Sequence, residues 1–151
     1  MKTLIIIKPD AVQRGLVGKI IDRFEQKGIK ITALKMMRIH RGLAEEHYGE
    51  HKGKHFYEPL VNYITSSTVV VGVLEGENVI PVVRKICGAT NPHDAHTGTI
   101  RGDFGMQAGR NIIHASDSES SAQREIALFF TEKELHEYKR IDENWVYEQD
   151  N

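Results

Sequence analysis

The segment Asn111-Ile112-Ile113-His114-Ala115-Ser116-Asp117-Ser118 sets one histidine where an apolar run gives way to helix-capping residues. A side chain there is held in direction by a strand behind it and a helix ahead. An imidazole of ordinary pKa, near 6.5, is roughly three-quarters neutral at pH 7 and can act as a nucleophile. Glu125 falls a turn or two into the following helix and can orient the ring directly or through Ser116, the arrangement an activated nucleophile needs. On these residues alone a second reading stands beside the first: a buried histidine satisfied by the helix cap.

Basic residues supply the next constellation. Lys8-Pro9-Asp10 closes the apolar run Leu4 to Ile7, so the lysine stem leaves a buried strand at a sheet end, where sites form. Arg84 falls in an otherwise apolar helical stretch, and Arg101 inside a glycine-rich loop. Singly, each reads as a surface charge or ion pair. Together they form a positive clamp, which a chain with 20 Lys+Arg against 21 Asp+Glu would need only for a polyanionic ligand.

Other candidates are weaker. His47, His51 and His55 stand at i, i+4 and i+8, a spacing that aligns imidazoles on one helix face as metal ligands. Gly49 and Gly53 interrupt such a helix and no carboxylate or thiol completes the set, so they read as ordinary polar side chains. His93 and His96 read as solvated loop residues. The chain contains no P-loop, Gly-x-Gly-x-x-Gly, Gly-x-Ser-x-Gly or His-Glu-x-x-His signature.

The elements that must position these residues follow from local periodicity. Thr3 to Ile7 reads as a strand buried on both faces; Leu16, Val17, Ile20, Ile21 and Phe24 then recur at helical spacing, with Gly28 as C-cap. Ile29 to Ala33 alternate as a strand whose pattern slips near Leu34, which predicts a bulge. Two helical pieces follow, over about 43–51 and around Phe56, Leu60, Tyr63 and Ile64. Thr68 to Leu74 is a valine-rich strand, and Val79, Val82, Val83 and Ile86 trace a helix ended by Gly88. From 88 to about 110 no period holds, and a loop of that length inside a compact domain is usually functional. Asn111 to His114 forms a last short strand, and Ser116-x-x-Glu119 predicts a capping box opening a helix with Ala122, Ile126, Phe129 and Phe130 inward. The order predicts an α+β fold: a ferredoxin-like βαββαβ antiparallel sheet with helices on one face.

Composition bounds the rest. The 151 residues show no repeat, linker or low-complexity block, so residues 1–151 are expected to form a single domain. One cysteine, Cys87, permits no intrachain disulfide and favours a reduced setting. A formal net charge of −1 provides no field for gathering nucleic acid or anionic lipid. No apolar stretch approaches the roughly 20 residues that span a bilayer, and the N-terminus lacks a secretory pattern, so a cytoplasmic location and no membrane partner are expected.

With those residues in view, the chain resembles the nucleoside diphosphate kinases from end to end. The likeness rests on the block 111–118, supported by Ile6-Ile-Lys-Pro-Asp10, Gln13-Arg-Gly-Leu-Val-Gly18, Thr90-Asn-Pro92 and Gly98-Thr-Ile-Arg-Gly-Asp-Phe104. The resemblance implies a ping-pong transfer of the γ-phosphate of a nucleoside triphosphate, chiefly ATP, to nucleoside diphosphates through phosphohistidine on His114. It implies that Arg84 and Thr90 hold the β-phosphate side and that Arg101 meets the transferring group. Lys8 and Asn111 grip the ribose hydroxyls and adjacent phosphate, with Tyr48 hydrogen-bonded to Lys8. Phe56 becomes the stacking platform for the base, and stacking on a π-face gives broad base specificity. Mg2+ is implied as a companion of the nucleotide, without assigned protein ligands, and the assembly as a homo-oligomer, a hexamer ahead of a tetramer. No specific nucleic-acid partner is expected. A binding module on the same fold that transfers nothing is the rival reading, and the oriented imidazole argues against it.

The chain departs from the family pattern at three places. Ala115 stands where glycine is frequent, which matters if that residue requires positive φ. Ala108 stands where a bulkier valine packs the base, and His96-Thr97 where many members carry Lys-Pro.

Overall fold

The computed structural model describes residues 1–149. Its sheet is built from β1 (Lys2–Ile7), β2 (Lys30–Met37), β3 (Val69–Glu75) and β4 (Ile113–Ala115), all antiparallel, in the order β2-β3-β1-β4. Helices α1 (Pro9–Gln13) and α2 (Val17–Lys27) link β1 to β2, and α3 (Arg41–His47) and α4 (Tyr57–Ile64) link β2 to β3. Then α5 (Val79–Cys87) and α6 (Ile100–Phe104) link β3 to β4, α7 (Glu119–Phe129) follows β4, and α8 (Glu143–Val146) lies in the tail. The connectivity and strand order are those of the expected ferredoxin-like α+β sheet.

Strand β1 is central because its residues are apolar on both faces, and alternation sends them into two separate layers. Ile5 and Ile7 meet Ile20 and Phe24 of α2 and Val79 and Val83 of α5. Leu4 and Ile6 meet Ala44 of α3, Val61 and Ile64 of α4 and Phe129 of α7. The expectation of helices on one face therefore holds for the two crossover helices, α2 and α5, while α3, α4 and α7 cover the other face. The cause lies in β3, where Val69, Val71 and Val73 are apolar toward the second layer as well and must be buried.

Local details show where periodicity succeeds. Helix α2 ends at Gly28, which takes the left-handed φ of 95° expected of a glycine C-cap. The bulge in β2 is present but falls between Ile31 and Ala33, earlier than the slip at Leu34 indicated. The histidine-rich stretch after α3 is broken, with α3 ending at His47 and a separate 3-10 turn over Gly49–His51.

Two expectations fail for identifiable reasons. The stretch 88–110 is not structureless: Thr99 accepts a hydrogen bond from Gly102 N and caps α6, which Gly102 and Gly105 conceal from a search for periodicity. The cap of α7 is Ser118, whose side chain accepts from Ser121 N, and not Ser116. Ser116 is fully buried behind β4 and binds elsewhere.

Candidate active site

The register of β1 against β4 sets His114 opposite Ile6, and Lys8 N donates to Ile112 O at 2.9 Å where β1 ends. Because His114 shares a face with Ile6, its ring enters the layer covered by α3 and α7. That second layer is what turns a strand histidine into a held one. Glu125 of α7, 5% exposed, accepts at the same Oε1 from His114 Nε2 at 2.8 Å and from Ser116 Oγ at 2.8 Å. A carboxylate can only accept, so the proton of the neutral imidazole sits on Nε2 and the lone pair on Nδ1. Burial raises the Glu125 pKa, but the hydrogen bonds from His114 and Ser116 outweigh it, and the carboxyl is held below its ordinary value.

The turn before β4 is strained. Ile112 has φ 78°, the left-handed region where a β-branched residue is an outlier, and Ile113 N closes a γ-turn onto Asn111 O at 2.8 Å. The bend is held from outside, because Ile112 N donates to Asp10 Oδ2 at 3.2 Å and Ile112 O accepts from Lys8 N. Tyr63 OH in turn donates to Asp10 Oδ1. The strain anticipated at Ala115 lies three residues earlier, and Ala115 sits in β4 without a positive φ.

Four cations, Lys8, Arg84, Arg101 and Arg124, line one cleft of about 520 Å3 together with Tyr48, Phe56, Thr90, Asn111, His114 and Glu125. Arg101 is 8% exposed and donates to Asn111 O at 3.1 Å, Gly88 O at 2.7 Å and Ile113 O at 2.6 Å. Those bonds use three of its five N–H groups and leave a buried cation beside the histidine. Arg84 of α5 donates to Ala115 O at 3.2 Å, and Asn111 bridges Lys8 Nζ at 2.7 Å and Thr90 O at 3.1 Å. Phe56 stands at the mouth with Lys54 Nζ 5.6 Å from its ring centroid and the His51 ring 5.2 Å away.

Every residue singled out for the site lines this cleft except Ser116, which supports it from behind. One expected contact is absent. Lys8 is steadied by Asn111, whereas the buried Tyr48 hydroxyl has no hydrogen-bond partner. Burial raises the Tyr48 pKa, so the phenol stays protonated. Asp10, Tyr63 and His47 carry no warning in the sequence beyond a histidine spacing that pointed to three residues where one matters. His47 is buried, and its pKa is lowered to about 3 by burial and by neighbouring His114.

Burial, and then the charge of Arg101, lower the Lys8 pKa to about 8. A base with a lowered pKa keeps its charge below that value and loses it above. The KM of a polyanionic substrate is accordingly expected to be lowest below pH 8 and to climb as pH rises through about 8. Lys8→Gln should raise KM at neutral pH and flatten that limb; a KM–pH profile with the limb intact in the variant contradicts the assignment.

The chain as a whole has relatives among known proteins. The nucleoside diphosphate kinase family model matches residues 1–135. The chain belongs to the nucleoside diphosphate kinase family. It is 62% identical over 147 residues to the nucleoside diphosphate kinase of Pelotomaculum thermopropionicum, covering 97% of this chain and 99% of that one. With the enzyme of Archaeoglobus fulgidus it shares 56% over 148 residues, covering 98% of each. The halophilic nucleoside diphosphate kinase of Halobacterium salinarum, solved in complex with CDP, superposes with a TM-score of 0.97 at 49% identity, over 98% of this chain and 99% of that one. The chain is thus a phosphotransferase that binds nucleotides and moves phosphate between them.

Proposed function

We propose that His114 carries the phosphate in a ping-pong cycle. The observation that supports this most is the Glu125 carboxylate on Nε2, which assigns the free lone pair to Nδ1 beside the buried Arg101. Nδ1 attacks the γ-phosphorus of a nucleoside triphosphate; an N–P bond forms, the bond to the bridging oxygen breaks, and the nucleoside diphosphate leaves with the electron pair. A second nucleoside diphosphate then attacks phosphorus through a terminal β-phosphate oxygen and the N–P bond breaks, regenerating the neutral imidazole. Such a transfer is catalysed by in-line positioning and by cations at the equatorial oxygens. Arg101 meets the transferring phosphoryl group, Arg84 and Thr90 hold the β-phosphate side, and Lys8 with Asn111 grips the ribose hydroxyls and neighbouring phosphate. Glu125 and Ser116 are positioning residues, and Tyr48 lines the cleft beside His47.

Magnesium is proposed as a companion of the nucleotide. Among the described residues the one group of three ligating side chains within reach of each other is His47, His114 and Glu125, whose two imidazoles suit Mg2+ poorly. The cleft instead offers cations for phosphate oxygens, as fits a metal held by those oxygens. When bound there, Mg2+ would neutralise phosphate charge. Broad base specificity belongs to the same reading, since Phe56 offers only a π-face, and ATP as chief donor is carried over from the family resemblance alone. Phe56→Ala should raise KM for purine and pyrimidine nucleotides alike by about 5- to 150-fold, the equivalent of about 1–3 kcal/mol of stacking. A rise confined to one base in a KM panel would refute the platform role. Glu125→Gln, which keeps the shape and removes the charge, should lower kcat at least about 10-fold while leaving nucleotide KM nearly unchanged; steady-state kinetics separate the two.

A homo-oligomer, hexameric before tetrameric, is supported by large apolar side chains left outward: Trp145 is 92% exposed and Ile141 fully so. Residues 1–151 are taken as one domain, as the match over 1–135 and near-complete coverage of the relatives support. A cytoplasmic setting is supported by the buried Cys87 thiol, pushed up to about 11 by burial and so inert. Among the described residues no helix is long and apolar enough to cross a membrane, and no nucleic-acid partner is proposed. The deciding test is incubation with γ-labelled ATP. An acid-labile, base-stable label that is lost in His114→Ala supports the reading, and retention of label in that variant overturns it.

A further inference from the structure

His47 is the buried polar group for which phosphate transfer has no use. It is 5% exposed, yet among the described residues neither ring nitrogen finds a hydrogen-bond partner, an arrangement buried polar groups rarely tolerate. Its ring stands perpendicular to that of His114, with centroids 4.7 Å apart, and is boxed by Tyr48 at 4.6 Å and Phe129 at 5.5 Å. One donor atom each from His47, His114 and Glu125 lies within 4.8 Å of the others. Their spacing cannot be explained as a helical metal motif, because the three come from α3, β4 and α7.

We propose that His47, His114 and Glu125 form a binding site for a borderline divalent transition-metal cation of the Zn2+ class, and that its occupancy switches phosphate transfer off by withholding the His114 imidazole. Two neutral imidazoles and one carboxylate are the donor set of three-ligand zinc sites with a fourth position open, and here the open position faces the cleft. Mg2+ and Ca2+, which demand oxygen ligands, are selected against. Ser116 Oγ, donating to Glu125 Oε1, holds the carboxylate from behind as an outer-shell group does. His114 Nε2 and Glu125 Oε1, now joined by a 2.8 Å hydrogen bond, must open by about 0.6 Å to share an ion, which takes the place of the Nε2 proton as that proton moves to Nδ1, the nitrogen that would otherwise attack phosphorus. The widest pair, at most 4.8 Å apart, must close by no more than about 1.4 Å, because donors about 2.0–2.1 Å from one ion stand about 3.4 Å apart in a tetrahedron. Lys8, Arg84, Arg101 and Arg124, the last 4.0 Å from Glu125 Oε2, oppose a cation in the same cleft, so the expected affinity is only about micromolar, and a nucleotide with its Mg2+ competes for the space.

The metal site itself does not depend on the phosphohistidine reading; only the inhibition does. Nucleotide-free full-length protein, dialysed against micromolar free Zn2+, should retain one Zn2+ per chain in the presence of excess Mg2+. The imidazole 15N resonances of His47 and His114 should shift together as Zn2+ is added. His47→Phe, which keeps an aromatic ring in the box, and His47→Gln, in case the first does not fold, should each weaken retention at least tenfold. Zn2+ given before γ-labelled ATP should reduce labelling of the unaltered protein at least tenfold and leave labelling of the His47 variants largely insensitive. No retained Zn2+, undiminished retention in both variants, or 15N shifts at His93 and His96 alone would each overturn the proposal. Failure of labelling without Zn2+ would instead overturn the phosphohistidine reading and leave the binding result standing.

Discussion

Replacing His114 with alanine is expected to lower kcat by about 10^4-fold or more while nucleotides still bind. A nucleophile that forms the covalent intermediate has no substitute in the cleft: the neighbouring imidazole, His47, is buried without a partner, and removing an enzyme's nucleophile costs losses of this order. Binding should survive because Lys8, Arg84, Arg101 and Asn111 are positioned by the sheet end, α5 and α6 and do not depend on the ring. Steady-state transfer assays paired with equilibrium nucleotide titrations read the two effects separately. An equal loss of binding and turnover would mean that the imidazole positions nucleotide instead of reacting with it.

Arg101→Met should damage both catalysis and the fold. Its guanidinium joins Gly88, Asn111 and Ile113 by hydrogen bonds to their carbonyls, so it ties the end of α5 to both flanks of the strained turn. Methionine strips the Gly88 and Ile113 carbonyls of these bonds and leaves Asn111 O only its γ-turn partner, Ile113 N, with an expected loss of about 3–5 kcal/mol, visible as a lower denaturant midpoint. A cation at the transferring phosphoryl group is worth about 10^3- to 10^5-fold in rate, so kcat should fall by at least about 10^3-fold even where the variant is fully folded. Arg101→Lys restores charge without the planar fork and should recover little of the stability. A variant with unchanged kcat below its unfolding transition would confine Arg101 to a structural role.

Much of this was legible in residue order because chemistry and periodicity coincide in the chain. The run Leu4 to Ile7 forecasts both a central strand and a lysine emerging at its end, and the block 111–118 forecasts a histidine held between strand and helix. What stayed hidden was cross-chain. Helix α6 is too short and too rich in glycine to show a period, so Arg101 reads as a loop residue although it is buried. The partner of Lys8 is Asn111 and not Tyr48, and 103 residues separate the two, a distance that local pattern cannot bridge. Ser116 reads as a cap because its spacing to Glu119 fits one; only the burial of the Glu125 carboxylate shows that its hydroxyl is needed elsewhere. The second helical layer was missed because apolar alternation on β3 shows that a face must be covered, without naming what covers it.

The left-handed peptide at Ile112 determines how portable this machinery is. That conformation costs on the order of 1–3 kcal/mol for a β-branched residue and persists only under outside restraint, which Asp10 and the main chain of Lys8 supply from more than a hundred positions away in the chain. Grafting residues 111–118 onto a foreign scaffold would transplant the proposed nucleophile without the splint that aims it, and the segment would relax into ordinary extended backbone. The smallest transferable unit is therefore a pair of distant strands together with α1, which carries the aspartate, and the reactive stretch is only half of it.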